Sequence, residues 1–92
     1  MTEQINIHPM IPGTFGVQVE QGSSTTSHVV VVHRGLLDDL HIGDVDEERI
    51  VRESFEFLLE REPATSIMSE FSLDQISRFF PEYTDEIVTR LR

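Results

Sequence analysis

Four histidines, His8, His28, His33 and His41, are the side chains of this 92-residue sequence best suited to ligate a metal or move a proton. Their spacing does not build a local site. No HExxH or His-x-His pair occurs, and His28 and His33 are an odd number of residues apart on one predicted strand, which points them to opposite faces. A metal centre would have to be assembled in space from separate strands, and the plainer reading is ordinary strand-end histidines. Cysteine is absent, which excludes disulfides, thiolate sites and thiol nucleophiles. We assign no metal ligand, cofactor or catalytic residue from the sequence.

Serines, threonines and carboxylates are plentiful but carry no signature. There is no Gly-x-Ser-x-Gly elbow, and Gly13-Thr14-Phe15-Gly16 lacks the Lys-Ser/Thr and flanking elements of a phosphate loop. A chain this short buries only about 60 to 65% of the surface its unfolded form exposes, so an enclosed active site would compete with the core for side chains. Function is expected on a surface. The densest aromatic cluster is Phe79-Phe80-Pro81-Glu82-Tyr83, a proline-pinned corner. Aromatics are enriched at binding hot spots, which makes Phe79, Phe80 and Tyr83 the candidate partner-binding residues. The competing reading has the cluster closing the core, with the Tyr83 hydroxyl at its edge.

Charge narrows the partners. Seventeen acids against seven cations give a net charge of -10, and every cation is arginine. The acids outnumber the arginines in both halves, so the surface repels phosphate backbones and anionic lipid heads. Nucleic-acid binding is not expected. Such a coat keeps a small domain soluble; its sharper use is to dock a basic protein or to mimic nucleic acid. The longest aliphatic run, Val29 to Val32, is far below the ~20 residues of a membrane span, and no cationic region at the N-terminus precedes an apolar stretch. The expected address is the cytoplasm, with no membrane partner.

Leu, Ile, Val and Phe supply 30 residues, enough for one folded domain spanning residues 1–92 and too few for two. Phe15, Val17 and Val19 alternate with Gly16, Gln18 and Glu20, the period of a strand with one buried face. Gly22 to Ser27 reads as a turn-rich loop, and His28 to His33 as a second strand whose valines point to both faces. Such a strand is expected in the middle of a sheet. Ile5 and Ile7 suggest a short edge strand ahead of Pro9 and Pro12.

From Asp44 the period becomes helical. Asp44 with Glu47 has the layout of a capping box and predicts a helix from about Val45 to Glu62, stopped by Pro63. Val51, Phe55, Leu58 and Leu59 centre its apolar face; Ile50 and Phe57 widen it. Arg49, Arg52, Glu53, Glu56 and Glu60 lie opposite, with Arg49 and Glu53, Glu48 and Arg52, and Arg52 and Glu56 four apart as helical ion pairs would be. Ala64, Ile67, Met68 and Phe71 predict a short helix after Pro63. Ser72 with Gln75 predicts a capping box opening another that ends at Pro81, and Thr84 caps a last helix carrying Ile87, Val88 and Leu91. The layout from Ser72 to Arg92 superficially resembles a helix-turn-helix, but it offers no basic face. The result is an α+β fold, a small N-terminal antiparallel sheet against one long and two or three short C-terminal helices.

The function expected from these features is a non-enzymatic cytoplasmic interaction or regulatory module acting through an acidic surface, self-associating as a homodimer through the second face of the sheet. An enzyme, or subunit of one, with a histidine and carboxylate site completed across subunits is the alternative. An antitoxin-like or nucleic-acid-mimicking inhibitor is another. Leu36, Leu37 and Leu40 folding back over Val30 and Val32 would remove the need for a second copy.

Overall fold

The computed structural model of the chain describes residues 4–33, 35–36 and 46–91. Three strands, β1 (Gln4–Pro9), β2 (Thr14–Gln21) and β3 (Ser24–Val31), form an antiparallel meander, and β4 (Glu70–Ser72) adds to β3 in parallel, giving the order β1-β2-β3-β4. Parallel neighbours need a crossover, and the long helix α1 (Glu47–Leu59) lies within it. The described residues after β4 hold a 3-10 turn (Leu73–Gln75), α2 (Ile76–Phe79) and α3 (Tyr83–Leu91). This is the α+β class expected, with β3 between two neighbours and β1 at an edge.

The period of two decides which face is covered. Phe15 pairs with Val30, Val17 with His28 and Val19 with Thr26, so these side chains share one face. Phe15, Val17, Val19, Val30 and Val32 are buried there with Ile50, Val51, Phe55, Phe57 and Leu58 of α1; Leu59 is half-buried against the same core. Leu36 is buried in the same cluster, while Leu37 and Leu40 lie outside the described residues. Val29 and Val31 project from the other face and are half-buried.

Several boundaries differ from expectation. Only Gly22 and Ser23 form the β2–β3 turn, with Gly22 at φ 62°, and the serines and threonines from Ser24 to Ser27 belong to β3. Asp46 accepts a bond from the Glu48 amide at 3.0 Å to cap α1; the predicted cap Asp44 and first residue Val45 lie outside the described residues. The helix stops at Leu59, short of Glu62. The short helix expected after Pro63 is only a 3-10 turn (Ala64–Ser66), followed by extended backbone leading into β4. A three-residue strand is too short to show an alternating period, and parallel pairing to β3 overrides the helical spacing of Phe71.

The arginines of α1 do not make the expected four-apart pairs. Arg52 donates to the Ile5 carbonyl at 3.1 Å and Arg49 to the Arg90 carbonyl at 3.2 Å, so the charged face ties α1 to β1 and α3.

Candidate functional site

The Ser72 and Gln75 capping box forms as predicted, with the Ser72 amide donating to the Gln75 side chain at 3.0 Å. It opens the 3-10 turn that leads into α2. Ile76, Phe79 and Phe80 then fall three and four apart on one side of a single turn, ended by the Phe80 amide bonding the Ile76 carbonyl at 2.8 Å.

That turn is one wall of an apolar cavity of about 210 Å³, lined also by Leu58, Glu62, Ser66, Ile67, Met68 and Phe71. The floor is core: Leu58, Ile67, Phe71 and Ile76 are all buried. The walls face solvent, with Phe79 66% and Met68 44% exposed, the two largest exposed apolar side chains outside the β1–β2 turn among the described residues.

The aromatic cluster is therefore divided. Phe79 is presented and Phe80 half-buried, its ring 6.0 Å from Phe57 in an edge contact. Tyr83 is wholly buried and does not line the cavity; its hydroxyl lies 2.7 Å from Ser54 Oγ, inside the core instead of at its edge.

Glu62 is the one charged residue of the lining. The neighbouring Arg61 is already engaged, donating to Glu82 at 3.2 Å and to the Phe57 carbonyl at 3.0 Å, with its guanidinium 3.6 Å from the Phe57 ring centroid. A bond from its own backbone amide, then the one from Arg61, holds the Glu82 carboxyl below the usual range. The Arg90 guanidinium, bonded to both Glu60 oxygens at 2.7 Å, does the same for Glu60. The arrangement suits an apolar side chain carried next to a cation.

The histidines are dispersed. His28 is buried with both ring nitrogens occupied, Nδ1 at 2.7 Å from the Met68 carbonyl and Nε2 at 2.8 Å from the Thr26 hydroxyl. A carbonyl only accepts, so Nδ1 carries the hydrogen and donates it to Met68. His28 thus holds the backbone of Met68, whose side chain walls the cavity. Its ring also lies 5.3 Å from Phe55. His8 and His33 are exposed on the outer side of the sheet, and His41 lies outside the described residues. Among the described residues no three His, Asp or Glu side chains gather as a metal would require.

Sequence reasoning missed Met68 as a cavity wall and His28 as its anchor. The signal for Met68, a position in an apolar helical stripe, pointed into the core. No helix among the described residues is long and apolar enough to cross a membrane. No known family model, curated protein or solved structure matches the chain.

Proposed function

We propose that the chain is a non-enzymatic protein-interaction or regulatory module of the cytoplasm, docking a basic protein partner by inserting one of its apolar side chains between Phe79 and Met68. The observation that carries this reading is the pairing of an open apolar cavity, floored by core and walled by exposed Phe79 and Met68, with the carboxylate of Glu62 in its lining. Apolar anchors that fill preformed pockets dominate binding energy, and the net charge of -10 favours encounter with a cationic segment. The absence of cysteine accords with a reducing compartment. A second copy of the chain is the other partner proposed, on the outer face where Val29 and Val31 are half-buried.

The test uses two synthetic peptides with the same central leucine, one flanked by arginines and one by glutamates, followed by methyl NMR. Saturable shifts at Ile67, Met68 and Ile76 with the arginine peptide alone, lost in Phe79→Asp, are expected. Shifts scattered over the acidic surface, unchanged by Phe79→Asp, would remove the cavity from the proposal.

A further inference from the structure

The outer face of the sheet has an ordered charge pattern. Its central transverse row, read from the strand register, is His8, Gly16, Val29, Glu70, with a histidine at one edge and a carboxylate at the other. The imidazole of His8 lies over Gly16, in the space a Cβ there would occupy. One end of the face is the more apolar, with Val31 and Met10 beside Thr14 and Ser72, and two shallow grooves there meet at Val29 and Glu70. The other end is polar, with Gln18, Glu20, Thr25 and Ser27. Glu20 and Glu70 are the only acids among the described strand residues of this face, in a chain that carries 17. A face relieved of charge in this way suits an equally acidic copy better than a basic partner.

We propose that two copies of the chain stack these faces about a two-fold axis running along the strands. The inference rests on the second-copy reading above and commits it to an orientation. Rotation about that axis keeps each row in register and reverses its ends, so His8 of each copy meets Glu70 of the other and Val29 meets the His8 and Gly16 position. Glu20 then faces Thr25, and the apolar ends coincide. A two-fold axis across the strands through the same row would set His8 on His8, Val29 on Val29 and Glu70 on Glu70, and would put Val31 against Ser27 of the polar end. Stacked sheets lie about 10 Å apart, within reach of an imidazole and a glutamate from opposite sides. Strands of six, eight, eight and three residues offer roughly 400 Å² per copy, about 800 Å² in all, so the pair is expected as a weak, transient association in the micromolar range.

Sedimentation velocity from about 5 to 500 µM, spanning that weak range, tests this on the full chain. A reversible dimer is expected. His8→Glu, an exposed substitution that sets two carboxylates together, should weaken it about tenfold or more with the circular dichroism spectrum unchanged, and adding Glu70→Arg should restore it. A monomer throughout the range overturns both the orientation and the second-copy reading. A dimer that His8→Glu leaves intact, or that the double variant does not restore, overturns the orientation alone.

Discussion

Ser54 Oγ and Tyr83 Oη lie 2.7 Å apart with neither residue exposed, a single hydroxyl pair joining the middle of α1 to the start of α3 across the core. Ser54 is the polar position on the buried side of a helix that otherwise packs Val51, Phe55 and Leu58. The pair satisfies both groups without water, and Phe57, 5.3 Å from the Tyr83 ring in an edge contact, packs beside it.

Tyr83→Phe keeps the ring and strands the Ser54 hydroxyl, so it should cost about 1 to 3 kcal/mol. Ser54→Ala should cost a similar amount by stranding the phenol. Replacing both removes the polar demand from each side, so the double variant should lose less than the sum of the singles. Additive losses in urea denaturation would show that the two hydroxyls do not act as a pair.

Tyr83 is the sole tyrosine, so its ionisation is directly visible in near-ultraviolet absorbance. Burial pushes its phenol from 10.0 up to about 12; the Ser54 bond works against this, and the Asp74 charge adds to it. Below pH 10 the phenol is neutral in folded and unfolded chains alike. Between 10 and 12 the unfolded chain loses the proton while the folded one keeps it, so stability falls as pH rises, by roughly 3 kcal/mol over the interval. A native titration midpoint near 10 would place the phenol in solvent.

The meander was legible because Phe15, Val17 and Val19 alternate with polar residues and Val29 to Val32 favour a pleated backbone; α1 and the Ser72 cap were legible because their signals lie within a few residues. What escaped depends on partners far along the chain. Glu70 to Ser72 is a strand only because Val29 to Val31 lie beside it, and Ser54 is tolerated in the core only because Tyr83 arrives 29 residues later. The same holds for the cavity: Phe79, Phe80 and Tyr83 look alike in sequence, and the length of one helical turn decides which is presented.

Phe55 is fully buried at the centre of α1, between His28 at 5.3 Å and Phe71 at 5.9 Å. Phe55→Ala removes a ring that links β3, α1 and β4, and should cost about 3 to 5 kcal/mol, much of what a domain of this size possesses. Glu56, the next residue, is exposed and should be replaceable by alanine within about 0.5 kcal/mol. Comparable losses for the two in urea melts would contradict the orientation of the helix.

The acid limb of stability should depend on Arg90. Its hydrogen bond to Glu60, chiefly, and then its charge hold that carboxyl below the ordinary 4.5, so the carboxylate contributes stability above the unfolded value and loses it as pH falls through the lowered folded one. Arg90→Leu leaves an apolar side chain near Phe57 but removes the bond, returning Glu60 toward the unfolded value and flattening that part of the curve. Because Glu60 is more than half exposed, the contribution is small and screened by salt. The stability difference between the parent chain and Arg90→Leu should therefore narrow on acidification, and narrow again at neutral pH when salt is raised. A difference constant in both series would assign the role of Arg90 to packing over Phe57, where its guanidinium lies 5.9 Å from the ring centroid, and not to its charge.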